Sequence, residues 1–392
     1  MTHPESPEST PIIVVGAGVI GLTVAFELAR RRIPVLVLER DHVGAGAAGV
    51  AAGMLAVVGE AEHETAELAD LLVTSQRAYP AFVRELQHAS GRDVGFVTEG
   101  TLIVGLGRDG EQELRHSQRA QDRLGLRSSW LTGDEARALE PHLGPRISAA
   151  LLAREDHQVD PRALLPALAA ATEALGGRVL TGTRVTGFDT TAGRLTAVVG
   201  VHQGDDRPFA IRCEAAVLAA GAWCAVGLAW PAAPVLVRPV KGQVVRLRGP
   251  AILRRVVRDT QVYLVPRRNG ELVVGATMED VGFDAAPTAG AVTDLLWQAR
   301  LLAPAVYDLE IVEVGVGFRP AARDHLPTIG PTDVPGLYVA TGHFRHGILL
   351  APTTAVLLAD LLVDDRMSPL LDRFRPGRFE AASRTAPSVD SR

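Results

Sequence analysis

Three groups of residues in this sequence have the types and spacing to do chemistry. The first is Gly16-Ala17-Gly18-Val19-Ile20-Gly21, set between an apolar run and an amphipathic segment, with Glu39 following 18 residues after Gly21. Gly16 permits a tight turn, Gly18 lets a pyrophosphate approach the backbone, and Gly21 lets a helix pack closely on a strand. Glu39 falls where a carboxylate accepts hydrogen bonds from ribose hydroxyls and repels a 2′-phosphate, so the pattern points to a dinucleotide other than NADP. The second is Arg319, at the end of the apolar run "EIVEVGVGF". A guanidinium in such a strand needs an anion, and bidentate pairing with a carboxylate is its strongest option; a structural salt bridge to Asp324 is the alternative. The third is the hairpin "YLVPRRNGELVVGATM". With Asn269-Gly270 as a two-residue turn, Arg268 pairs with Glu271 and Tyr263 with Ala276. Met278 then lies diagonal to Tyr263 on one face. That face presents a phenol and a thioether to a pocket, or else packs in the core with the hydroxyl on backbone.

Other candidates are weaker. Arg345 sits in "GHFRHG" before a helix, where it either positions an anion or lies on the surface. His343 and His346 read as turn residues whose backbone faces a ligand. Asp156 and His157 read as structural, and Arg254, Arg255 and Arg258 as a solvated face or a subunit contact. Cys213 and Cys224 are too few for a disulfide framework or a four-ligand zinc site and read as buried thiols. Nothing resembles a metal cluster or a catalytic triad.

These residues need elements to hold them. The 392 residues are 47% hydrophobic, enough for two or three domain-sized units. A net charge of −5 and a pI near 6.1 leave no basic footprint for nucleic acid. Lys241 is the only lysine. The polar N-terminus "MTHPESPEST" does not read as a targeting segment, and a reduced cytoplasmic protein is expected. Ala215–Val237 is uncharged for 23 residues, but its glycines and prolines read as strand, turn, short helix and turn rather than a membrane span. Strands are expected at 12–15 and 33–38, with helices at 19–31, 64–90, 161–175 and from Gly347. "VTEGTLIVGL" reads as a strand pair. A strand–glycine–helix pattern recurs at both ends with β-rich sequence between, and a small-residue loop (44–54) suits packing against a flat ring system. That layout favours FAD over NAD. The fold class expected is α/β: a discontinuous Rossmann-type FAD-binding domain (11–90, 145–230, 325–375) plus an α+β substrate domain (91–144, 231–324) with a large, mostly antiparallel sheet. Residues 1–10 and 376–392 are expected to be tails, with disorder expected in 1–10 and 384–392.

The motifs "GAGVIG", "VAAGMLA", "YLVPRRNGELVVGATM", "GFRPAARDHLPTIG" and "ATGHFRHGILLAPTTA" occur in the order seen in the D-amino-acid oxidase superfamily. Together they resemble the glycine oxidases of thiamine biosynthesis, over roughly residues 11 to 375. The resemblance implies non-covalent FAD and oxidation of glycine or another small amine, with molecular oxygen as acceptor and an imine product destined for thiazole formation. It implies FAD contacts from Gly16, Gly18, Val19, Ile20, Gly21, Glu39 and Arg40, and from Ala47, Ala48, Ala52, Gly53 and Met54. Val185 and the segment His343, Phe344, Arg345, His346, Gly347, Ile348 and Leu349 complete that set. It implies that Arg319 binds the substrate carboxylate with Arg345 nearby, in a pocket lined by Tyr263, Met278 and Met54. A homo-oligomer and a hand-off to a thiazole synthase are further expectations. Two departures stand out: Ala47-Ala48-Gly49 replaces hydroxyl side chains, and Gln261 replaces a histidine. Rival readings are a D-amino-acid dehydrogenase serving a quinone or carrier, and a flavin-bearing subunit without turnover. Sarcosine oxidases attach flavin through a cysteine in a region where this chain has none.

Overall fold

The computed structural model describes residues 10–63, 65–226, 229 and 236–379. Both expected tails fall largely outside these residues. The strand Ile12–Val15 runs into the glycine turn, the helix Val19–Arg30 follows, and the strand Val35–Leu38 returns beside the first in parallel. Four consecutive apolar residues in each strand are what a sheet covered on both faces demands.

These strands are central in a six-stranded sheet whose spatial order is Thr328–Pro331, Leu337–Thr341, Ala216–Leu218, Ile12–Val15, Val35–Leu38 and Arg178–Leu180. Both ends of the chain therefore build one sheet, parallel except for its Thr328–Pro331 edge. The apolar helix Gly347–Asp364 is long enough to cross a membrane, yet it is mostly buried and packs against Val19–Arg30 and Ala66–Ser90 as a core helix. The uncharged stretch near 215–237 contributes the strand Ala216–Leu218 and the short turn of helix Gly221–Ala225; residues 227–228 and 230–235 of it lie outside the described residues. Both cysteines are buried and free, and burial pushes the thiols of Cys213 and Cys224 up to about 11 and about 12.

An eight-stranded sheet stands beside the first, in the order Glu310–Ala322, Val237–Arg248, Glu271–Gly275, Tyr263–Pro266, Val256–Arg258, Thr101–Leu106, Ile147–Ala153 and Ser129–Thr132. It is antiparallel except where Val256–Arg258 runs parallel to Thr101–Leu106. Ile147–Ala153, expected with the nucleotide-binding part, belongs here because Leu102 and Leu152 pair across it and share its core. "VTEGTLIVGL" makes one strand and an isolated bridge from Val97 to Gln158, not a strand pair.

The hairpin departs from its expected register. Arg267, not Arg268, pairs with Glu271, and Gly270 at φ 83° closes a three-residue loop. Tyr263 consequently pairs with Gly275 rather than Ala276. Because strand faces alternate with period two, this one-residue slip removes the predicted Tyr263–Met278 diagonal.

The turn at Gly16 is tight enough to test. A Cβ on Gly21 would stand 2.0 Å from the carbonyl oxygen of Gly16. Gly21→Ala should destabilise the apoprotein by about 1–3 kcal/mol, seen as a lower urea midpoint. An unchanged midpoint would mean the turn relaxes without cost.

Candidate active site

A cavity of about 550 Å³ is lined by residues of both large sheets, within the roughly 300–1,000 Å³ usual for small-molecule sites. Gly16, Gly18, Val19, Ile20, Glu39, Arg40, Ala47, Ala48, Ala52, Gly53, Met54, Val185 and every residue from His343 to Leu349 line it. Gly21 does not; it lies against Gly16 and Val14, where its role is packing. Arg319, Tyr263, Met278 and Gln261 line the same cavity.

At one end, the helix Val19–Arg30 begins at Gly18 without a side-chain cap and without an acid in its first turn. A Cβ on Gly18 would meet nothing within 4 Å, so this backbone faces open space. Uncapped N–H groups at a helix start favour an anion. The Glu39 carboxylate accepts from Ala17 N (2.7 Å) and Asp41 N (2.9 Å), which fixes it at the mouth of the turn.

The small-residue loop folds as the four-residue helix Ala47–Val50. It has no hydroxyls of its own, and other elements hold it from behind. Arg162 donates to the Gly49 carbonyl (3.2 Å) and forks onto Glu313 (2.9 and 2.7 Å). Arg267 donates to the Ala52 carbonyl and to Gln158 Oε1. Across the cavity, His343 is buried against Thr354 (Nε2 to Oγ1, 3.1 Å), and burial pulls its imidazole down to about 3. It is a neutral turn residue.

At the other end, Arg319 donates to the Thr277 carbonyl (3.0 Å) and interacts with the Tyr263 phenol. Two glycines make room: a Cβ on Gly242 would meet the Arg319 guanidinium at 2.5 Å, and one on Gly275 the Tyr263 hydroxyl at 2.5 Å. Asp324 is not Arg319's partner, since it pairs with Arg378 (2.8 Å). Burial lowers the Arg319 pKa, with Tyr263 and Glu60 opposing, and burial raises that of Tyr263, so the phenol keeps its proton above its usual range. Met278 reaches the cavity from beyond the strand end and is 63% exposed, so it borders the pocket's mouth rather than its floor.

One residue of this wall escaped the sequence reading and another was misread. Glu60 is 8% exposed and pairs with Arg258 and with Arg345 (2.8 Å to Arg345). Arg258 is thus neither solvated nor free for a subunit contact: it is buried beside Tyr263, its cross-strand neighbour. Its neighbour Arg255 pairs with buried Glu140 (3.2 Å). Burial alone would raise the Glu60 carboxyl, but Arg258, Arg345 and His346 outweigh it and bring it down to about 2. Asp156 aims it. The Asp156 carboxylate, fully buried, accepts from Val57 N (2.9 Å), Val58 N (3.1 Å) and Gly59 N (2.8 Å) and so fixes the turn that carries Glu60.

A family model described as FAD dependent oxidoreductase matches residues 11–361. The chain belongs to that family. Among its relatives are the "Bifunctional protein ThiO/ThiG" of Trichormus variabilis, 38% identical over 96% of this chain and 56% of the relative, and the "Glycine oxidase" of Geobacillus kaustophilus, 35% identical over 90% of this chain and 92% of the relative. The chain spans about half the length of the bifunctional relatives. The crystal structure of the Geobacillus kaustophilus glycine oxidase superposes with a TM-score of 0.83 at 34% identity, covering 94% of this chain and 98% of that one.

The cavity fits FAD. The open approach at Gly18, the uncapped helix start and Glu39 suit a pyrophosphate and ribose, and the Ala47–Met54 loop suits a flat ring. Gly18→Ala should therefore leave apoprotein stability unchanged, because its Cβ meets no protein atom. FAD affinity should fall roughly tenfold or more, as the methyl group fills the approach path. Fluorescence titration of apoprotein with FAD, beside urea unfolding, separates the two effects; unaltered affinity would place the pyrophosphate elsewhere.

Proposed function

We propose that this protein oxidises glycine and comparably small amines, such as sarcosine and D-alanine, by FAD-dependent oxidative deamination. The observation that carries the reading is Arg319: a half-buried guanidinium beside Tyr263, in a cavity it shares with the dinucleotide turn. Similarity to glycine oxidases over nearly the whole chain supports it. Arg319 holds the substrate carboxylate, Tyr263 donates its phenolic proton as a hydrogen bond, and the wall around them excludes water. FAD, when bound, accepts the electron pair of the Cα–H bond. The amine loses a proton, oxygen takes the two electrons and two protons to become hydrogen peroxide, and water hydrolyses the imine to glyoxylate and ammonia. The six-stranded sheet serves the cofactor and the eight-stranded sheet the substrate. In this reading the protein is a cytoplasmic homo-oligomer, and its imine feeds thiazole formation in thiamine biosynthesis through a thiazole synthase.

Purified protein should be yellow, and acid precipitation should leave all colour in the supernatant; colour in the pellet would mean a covalent flavin. Glycine added anaerobically should bleach it, and air should then yield peroxide. Bleaching without peroxide would mark a dehydrogenase, and no bleaching by any small amine would sink the reading.

Removing one partner of a desolvated charge pair costs about 2–5 kcal/mol. Arg319→Ala should thus lower kcat/KM for glycine by roughly 30- to 5,000-fold with FAD content unchanged. A small amine lacking a carboxylate should lose much less. Equal losses for both would make Arg319 structural.

A further inference from the structure

The wall that carries Arg319 also contains a carboxylate that the reaction does not require. Glu60 lines the cavity, is almost wholly buried and makes two ion pairs, one to Arg258 and one to Arg345. Its ion pairs and its fixed turn leave it little freedom to swing away. Asp156 anchors that turn through three backbone N–H groups, and Arg258 is locked beside Tyr263 in the sheet. Both anchors lie against Gly59, so the carboxylate is held at the cavity in one place.

A negative charge at a carboxylate-binding pocket needs a reason. Three guanidiniums, those of Arg258, Arg319 and Arg345, line this end of the cavity. Without a counter-charge they would accept a substrate with two anionic groups as readily as one with a single carboxylate. Glu60 claims two of the three and leaves Arg319, among the described residues, as the one of the three without a carboxylate partner. A second anionic group entering the pocket would have to compete with Glu60 for Arg345 while being repelled by the Glu60 carboxylate.

We propose that Glu60 is a specificity-determining residue: its buried carboxylate, presented beside Arg345, excludes amines that carry a second anionic group and confines the site to monocarboxylates. This rests on Arg319 as the carboxylate clamp. The charge persists throughout the working pH range, because Arg258, Arg345 and His346 hold the carboxyl near 2.

The test compares glycine with two dicarboxylates, iminodiacetate and D-aspartate, which place the extra carboxylate on the nitrogen side and the Cα side. In the FAD-loaded wild type both should have far lower kcat/KM than glycine. Glu60→Gln should raise the dicarboxylate-to-glycine ratio of kcat/KM roughly tenfold or more for at least one of them. Glu60→Asp, which keeps the charge, should hold the wild-type ratio. An unchanged ratio in Glu60→Gln, or an equal rise in both variants, would overturn the proposal by making Glu60 a packing residue. If Glu60→Gln does not fold, wild type still decides: acetate should inhibit glycine oxidation with a Ki roughly tenfold or more below that of malonate, and malonate binding as tightly would refute it. Wild type inactive on every small amine would instead defeat the functional reading itself.

Discussion

A guanidinium cannot shed its charge at any pH a protein meets, and Arg319 is half-buried in the cavity wall, where burial lowers its pKa. Much of the architecture around it meets that constraint. The Thr277 carbonyl and the Tyr263 hydroxyl satisfy part of its donor fork. Gly242 and Gly275 vacate the volume that the two side chains occupy. The long antiparallel pairing of Val237–Arg248 with Glu310–Ala322 sets Val240 opposite Arg319 and keeps the strand from shifting. Donors of Arg319 that face the cavity give a carboxylate ligand its selectivity, since a competitor lacking that group leaves them unpaired.

The same accounting explains why the pocket is rich in charge. Arg258 and Glu60 are both buried, and each would be costly alone. Paired, and joined by Arg345, they form a wall whose groups brace one another. Asp156 extends this brace to the turn at 57–59, so the fixed point of the network is a carboxylate bonded to backbone.

Legibility in the sequence followed the range of each interaction. The glycine turn, Glu39 and the helix from Gly347 were readable because strand, turn and helix are adjacent in the chain. The hairpin was found but misread by one residue: Asn269-Gly270 suggested a two-residue loop, whereas Gly270 closes a three-residue one. Period two turned that small error into a wrong partner for Tyr263 and a wrong place for Met278. Glu60 was missed altogether. It meets Arg258 from 198 residues away, and an ion pair between separate elements leaves no periodicity to detect. Arg258 was misassigned for the related reason that three nearby arginines look like a surface patch when their partners, Glu60 and Glu140, are distant in sequence.

The loop at Ala47-Ala48-Gly49 gave up its hydroxyls, yet its shape is kept by Arg162 and Arg267 acting on its carbonyls from outside. Its geometry is thus set jointly by the scaffold and by its own glycines, since a Cβ on Gly49 would stand 2.3 Å from the Gly44 carbonyl oxygen. A segment so supported can change its non-glycine residues while presenting the same backbone, provided they stay small and Gly44, Gly49 and Gly53 are kept. Mutational tolerance and structural constancy can then coexist in one stretch of chain, and the heavier selective burden falls on two arginines that do not line the main cavity.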